Sequence, residues 1–174
     1  NSLGVHPMEG CDGTAEGKPD ELTIRRYHRF ARGGAGLLWF EATAVVPEGR
    51  ANPRQLLLVK DNLDAFKELR ESSVKEGQER NGVDYDPYCA IQLTHSGRYS
   101  RPVDKPAPMI AHHDGLLDDA VGIPSDYPLV TDDYLDRLQD AYVEAAKLAY
   151  KAGFNSVDIK SCHRYLLSEL LACH

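Results

Sequence analysis

Apolar residues in this chain fall into two patterns, short continuous runs and stripes at helical spacing, and the two alternate. Leu3 to Pro7 is a short apolar run and predicts a strand. A Gly-rich loop, Gly10 to Pro19, follows, and Asp20 is placed to cap a helix reaching about Ala31, with Leu22, Tyr27, Phe30 and Ala31 on one face. Gly33-Gly34 ends that helix. Leu37-Leu38-Trp39-Phe40 is apolar at every position, the pattern of a parallel strand covered on both sides. Beyond a loop containing Pro47, Gly49 and Pro53, Asp61 is placed to cap a second helix carrying Leu63, Phe66 and Leu69. Tyr88 to Leu93 reads as the third strand. The stretch from Thr94 to Val130 reads as a long loop rich in Pro, Gly and His, and such loops are commonly functional or disordered. Thr131 is placed to cap the clearest helix. Asp132 and Asp133 suit its positive end, Leu135, Leu138, Tyr142, Ala145 and Ala149 form its stripe, and Gly153 closes it. Ser156 to Lys160 is the fourth strand, and Tyr165 to Ala172 begins a fourth helix.

The order β-α-β-α-β-α-β-α implies a parallel sheet with right-handed crossovers. A doubly wound sheet and a β/α barrel both satisfy it. A complete barrel takes ~250 residues, so four units in 174 residues correspond to half of one.

Composition narrows the function classes. Hydrophobic residues make up 42% and charged residues 27%, the mix of an ordinary globular domain rather than a disordered chain. A formal net charge of -7 argues against a nucleic-acid partner. No apolar run is long enough for a bilayer and no signal-peptide pattern opens the chain, so no membrane partner is expected. The four cysteines, Cys11, Cys89, Cys162 and Cys173, form no CxxC pair and fit no zinc spacing. They read as free thiols in a reducing, cytoplasmic setting.

In parallel α/β folds chemistry collects at the carboxyl ends of the strands. Those ends here are His6-Pro7-Met8-Glu9-Gly10, Glu41-Ala42-Thr43, Gln92-Leu93-Thr94-His95-Ser96-Gly97-Arg98 and Asp158-Ile159-Lys160-Ser161-Cys162-His163-Arg164-Tyr165. Polar and small residues follow apolar strands at all four, the footprint of a shared pocket. Gln92 lies inside an apolar strand, and a buried amide needs partners. It is either a core residue bonded to backbone or water, or a reader of a ring edge that carries both N–H and C=O. Asp158 and Lys160, two apart, share one side of their strand and are either an ion pair or half of a ligand site. Lys160 and His163 are placed to donate to one substrate oxygen, and Tyr165 offers a phenolic proton. Ala42 is small, either for packing or to let a flat ring approach the backbone. His112-His113-Asp114 has no second ligand cluster, so no metal is expected. Cys11 and Cys162 have no base beside them and read as inert.

Taken together these motifs resemble the Old Yellow Enzyme-type NADH:flavin oxidoreductases, including their 2,4-dienoyl-CoA reductase-like branch. The third-strand stretch Gln92 to Arg98 and the fourth-strand stretch Ala152 to Ile159 with Lys160 to Leu166 carry the resemblance, supported by Pro7-Met8 and Glu41 to Val45. The resemblance implies an α/β fold, a (β/α)8 TIM barrel of which residues 1–174 are the first four βα units, the N-terminal half of an FMN-binding domain. It implies FMN over the carboxyl ends of the strands, flanked by Pro7, Met8, Glu9 and Ala42 and read by Gln92. It implies NAD(P)H as reductant and a small-molecule substrate, an activated alkene such as an α,β-unsaturated carbonyl. Lys160 and His163 match the pair that holds the carbonyl oxygen, and Tyr165 matches the proton donor. Three departures stand out: Lys160 where many members have His, Glu9 where many have a small or hydroxyl residue, and Arg164 for a common Gly. The family's later strands, which supply the FMN phosphate site, are not in this sequence. Half a barrel leaves open sheet edges, so association with the missing half, or a homo-oligomer, is expected. Two alternatives remain open: a non-catalytic half-barrel that assembles with itself or another chain, and a different α/β-barrel enzyme without flavin.

Overall fold

A computed structural model of the chain describes residues 1–173. Its elements run β1 (Gly4–Val5), α1 (Glu21–Arg32), β2 (Leu37–Ala44), α2 (Leu63–Asn81), β3 (Tyr88–Thr94), α3 (Gly115–Val121), α4 (Asp132–Lys151), β4 (Ser156–Ile159) and α5 (Leu166–Ala172). The four strands pair in parallel in the order β1-β2-β3-β4, each next to its chain neighbour, as in one arc of a barrel. A doubly wound sheet would reverse direction at a switch point, and this sheet does not.

Strand alternation divides the sheet into two faces. Leu38, Phe40, Cys89, Ile91 and Leu93 face the helices and form the core with Tyr27 and Ala31 of α1, Phe66 and Leu69 of α2, and Ala145 and Ala149 of α4. Tyr27 stacks on Phe40 with ring centroids 4.2 Å apart. Burial of each large apolar side chain there contributes about 1.5–3 kcal/mol. The opposite face carries Trp39, Ala90, Gln92 and Asp158, aligned by the pairings Trp39↔Ala90 and Gln92↔Asp158. β4 is an edge strand, and its Ile159 is 43% exposed.

The structure corrects the sequence reading in three places. On α1 the buried positions are Thr23, Tyr27 and Ala31, and Leu22 lies off that stripe and is 45% exposed. Thr23 is tolerated inside because its hydroxyl donates to Asp12 at 2.7 Å. Asp61 does not cap α2: it lies in a 3-10 turn, Lys60–Asn62, and the helix begins at Leu63. The segment after β3 is not a plain loop. It contains α3, capped by Asp114, whose Oδ1 accepts from the backbone N–H of Leu116 and Leu117, and closed by Gly122 at φ +70°.

That segment is tied down by Arg98, whose side chain is fully buried. Its guanidinium pairs with Asp118 of α3, donates to Glu169 of α5 at 2.5 Å and donates to the His112 carbonyl at 3.0 Å. Glu169 accepts in turn from the backbone N–H of Ala111. One cation thus joins the end of β3 to α3 and α5. Arg50 does comparable work lower in the loops, donating to the carbonyls of Gln55, Ala15 and Pro53. Burial lowers the pKa of its guanidinium.

Candidate active site

The site is built where the β2–β3 register slips. Phe40 pairs with Ile91 and Thr43 with Leu93, so Glu41 and Ala42 together stand opposite Gln92. Such irregularities re-aim side chains next to functional sites. Glu41 turns toward the segment after β1, pairs with Arg26 and accepts from the backbone N–H of Gly10 at 2.6 Å. Burial raises the Glu41 carboxyl, and the Gly10 bond and Arg26 pull it back. A Cβ on Gly10 would overlap the Arg26 guanidinium at 2.2 Å, so a larger residue there would displace that side chain. The contact pins Pro7 to Gly10 against the end of β2. Met8 projects outward there, 73% exposed, and Pro7 is half-buried.

Glu9 reaches across the strand ends. Its Oε2 accepts from the phenolic hydroxyl of Tyr165 at 3.1 Å and lies 3.8 Å from the Lys160 ammonium. Its Oε1 accepts from the side-chain amide of Gln55. That amide is fixed by a second donation to the Ala42 carbonyl at 3.0 Å, and its oxygen accepts from the Ala51 N–H at 2.5 Å. Burial raises the Glu9 carboxyl, against the opposing charge of Lys160 and the Tyr165 bond. Burial and the Glu9 charge push the Tyr165 phenol well above its ordinary value.

Lys160, buried just past β4, places its ammonium 4.4 Å from the Tyr165 ring centroid. His163 is exposed, with its ring 6.3 Å from that of Tyr165. Between them the chain turns sharply. His163 and Arg164 both hold positive φ, +59° and +56°, and Tyr165 returns to extended backbone before α5 begins. The left-handed conformation explains why a glycine suits the position of Arg164.

Glu9, Lys160, His163 and Tyr165 therefore form one cluster. Gln92 lies beside it on β3, donating through Nε2 to Asp158 at 2.7 Å. An ion pair between Asp158 and Lys160 is not formed: Asp158 meets Gln92, and Lys160 meets Glu9. Ala42 is fully buried. Gln55 escaped the sequence reading. Its one signal there was a polar residue opening the run Leu56-Leu57-Leu58. His95, read only as part of a motif, is buried, accepts from the Gly97 N–H at 3.0 Å and contacts the Tyr134 hydroxyl at 2.8 Å. Burial lowers its pKa to about 4. No group of His, Cys, Asp and Glu among the described residues has the makings of a metal site.

A flat ring with a hydrogen-bonding edge fits this donor set. Ala42 carries the smallest side chain at its strand end, and Gln92 stands opposite it across the register slip. The hydroxyl of Thr94, at the end of the same strand, is buried without a partner among the described residues. Orphaned buried hydroxyls are uncommon and ask for a ligand or water.

The fold is half of a (β/α)8 barrel, and the polar cluster lies at the carboxyl ends of its strands. The chain belongs to the NADH:flavin oxidoreductase / NADH oxidase family, whose model matches residues 1–174. It is 32% identical over 163 residues to an NADPH dehydrogenase of Bacillus pumilus (strain SAFR-032), covering 90% of this chain and 42% of that protein. It is 32% identical over 171 residues to an NADPH dehydrogenase of Geobacillus sp. (strain WCH70), covering 95% and 44%. Among solved structures, Old Yellow Enzyme from Pichia sp. AKU4542 superposes with a TM-score of 0.77 at 23% identity, covering 97% of this chain and 44% of that one. A 2-naphthoyl-CoA reductase in complex with 2-naphthoyl-CoA superposes with a TM-score of 0.79 at 18% identity, covering 97% and 26%. These likenesses show the barrel fold. The chain spans less than half the length of the curated relatives it matches.

Proposed function

We propose that residues 1–174 are the N-terminal half of an FMN-binding barrel that works as an NAD(P)H-dependent ene-reductase. The observation that carries this reading is the convergence of Glu9, Lys160, His163 and Tyr165 beside Ala42 and Gln92 at one end of a parallel sheet. In it Pro7, Met8, Glu9 and Ala42 flank the ring of FMN and Gln92 reads its edge. Bound FMN supplies the reducing equivalents it takes from NAD(P)H. Lys160 and His163 hold the carbonyl oxygen of an α,β-unsaturated substrate, where negative charge develops. Tyr165 gives a proton to the carbon next to that carbonyl. A cytoplasmic setting belongs to the same proposal and is supported by four unpaired thiols. No helix among the described residues is long and apolar enough to cross a membrane. Motif resemblance also suggests the dienoyl-CoA reductase-like branch, in which the substrate is a thioester.

The test is a visible spectrum and anaerobic titration of the full-length natural protein. A bound flavin band, bleached by NADPH and restored by an enone, supports the reading, and restoration by a dienoyl thioester supports the branch. A protein that stays colourless with added FMN overturns it. The exposed edge at Ile159 favours the second reading, a half-barrel that assembles with a copy of itself or with another chain and binds no flavin. A colourless, stable oligomer supports that second reading.

A further inference from the structure

We infer that Glu9 is the proton partner of Tyr165, a carboxyl that restores the phenol's proton after the phenol has given it away. The step rests on the function proposed above, which supplies the event that deprotonates Tyr165. The placement of Glu9 rests on geometry alone. Its two oxygens are held separately, Oε2 by the Tyr165 hydroxyl at 3.1 Å and Oε1 by Gln55. Gln55 is itself fixed by Ala42 and Ala51. A carboxyl oriented at one end by a buried amide and at the other by a half-buried phenol is a placed group, not a solvated acid. Its contact with Lys160 is longer, 3.8 Å, so the directed bond is the one to the phenol.

The chemistry balances without a co-reactant. Loss of the phenolic proton to substrate leaves a half-buried tyrosinate, which is costly in that surrounding. The O–H bond of a protonated Glu9 breaks, the O–H bond of Tyr165 re-forms, and the new carboxylate faces the Lys160 ammonium. The transfer runs downhill, because a carboxylic acid is about six pH units more acidic than a phenol. Glu9 then takes a proton from water, to which 18% of its side chain is open. Burial, which raises the Glu9 carboxyl, enlarges the protonated fraction available for the next cycle. The charged and titratable groups that face this pair are Lys160, His163 and Cys11.

The test compares Glu9→Gln, Glu9→Asp and Tyr165→Phe in the full-length protein. The ionisation of Tyr165 is followed as tyrosinate absorbance, with Tyr165→Phe as the blank. Glu9→Gln is expected to move its midpoint down by about one pH unit, because the opposing carboxylate is gone. Steady-state reduction of an enone by NADPH, which needs the phenol re-protonated in every cycle, is expected to slow by about a hundredfold in Glu9→Gln, to recover in large part in Glu9→Asp, and to fall no further when Glu9→Gln is added to Tyr165→Phe. An unmoved tyrosinate midpoint overturns the coupling. A moved midpoint with unchanged steady-state turnover overturns the relay and leaves only an electrostatic contact. If the protein binds no flavin, the oxidoreductase reading and the relay that rests on it fall together, and the tyrosinate midpoint still decides whether Glu9 and Tyr165 are coupled.

Discussion

Gln92 and Asp158 stand opposite each other in the β3–β4 register, and the Gln92 amide donates to the Asp158 carboxylate at 2.7 Å. This bond orients the amide on the face of the sheet where a cofactor edge is proposed. Asp158→Ala removes the acceptor and leaves a nearly buried N–H without its partner, at a cost of about 1–2 kcal/mol. Asp158→Asn keeps an acceptor and should cost less. Urea unfolding of Gln92→Ala, Asp158→Ala and the double variant checks the contact. A coupling of about 0.5–1.5 kcal/mol is expected, and strict additivity would show that the two side chains do not cooperate.

Arg98 is the cation on which the segment after β3 depends. Its side chain is fully buried between Asp118 and Glu169. Arg98→Met has similar volume but strands two buried carboxylates, so a loss of about 3–5 kcal/mol is expected. Arg98→Lys retains the charge but not the fork that reaches Asp118, Glu169 and the His112 carbonyl together, and it should recover only part of the loss. Denaturant unfolding measures both. A change below about 1 kcal/mol in Arg98→Met, the scale of an exposed ion pair, would mean that the network is not a structural tie.

The elements visible in the sequence were those with strong local signals. The stripe of α4, the apolar run of β2 and the cap at Asp20 each depend on neighbours in the chain, and each formed, although β2 runs on past Phe40 to Ala44. What escaped depends on distant partners. α3 has two turns, too short for a periodicity to register, and its one buried polar side chain, Asp118, is satisfied by Arg98 from another element. The polar strand ends announced a pocket, but not its wiring. Sequence adjacency suggested Asp158 with Lys160, whereas strand register gives Asp158 to Gln92 and Lys160 meets Glu9, far away in the chain. Register and bulges are long-range properties, and a period-two pattern alone does not determine them.

His95 makes stability depend on pH. Its ring is buried and neutral, accepting from the Gly97 N–H and so presenting its other N–H to the Tyr134 hydroxyl, which donates to Glu48 at 3.2 Å. Burial lowers its pKa from 6.5 to about 4. Above pH 6.5 the ring is neutral in both folded and unfolded chains, and full stability is present. Between there and about pH 4 the unfolded chain takes up a proton that the folded one refuses, so stability falls. The total loss is on the order of 3 kcal/mol. Below that window both states are protonated and the fall from this residue stops. Urea midpoints at neutral and mildly acidic pH should separate in the native protein and converge in His95→Gln. An equal separation in both would remove His95 as the cause.

The turn between Lys160 and Tyr165 carries backbone strain at two successive positions, His163 at φ +59° and Arg164 at φ +56°. A side chain in that region costs about 1–2 kcal/mol, and glycine gives part of this back as entropy lost on folding. Arg164→Gly is therefore expected to raise stability by up to about 1 kcal/mol. Arg164 is exposed and makes no ion pair among the described residues, so no contact is lost in exchange. The same substitution at Ser161 or Cys162, which lack positive φ, should destabilise instead. On the proposed function the strain aims His163 and Tyr165 at one substrate, and the glycine variant loosens that aim. Thermal unfolding and the Michaelis constant for an enone, measured on the same samples, separate the two effects. A higher melting temperature with a weaker Michaelis constant is expected, whereas a lower melting temperature in Arg164→Gly would show that the turn is held by the arginine side chain and not strained by it.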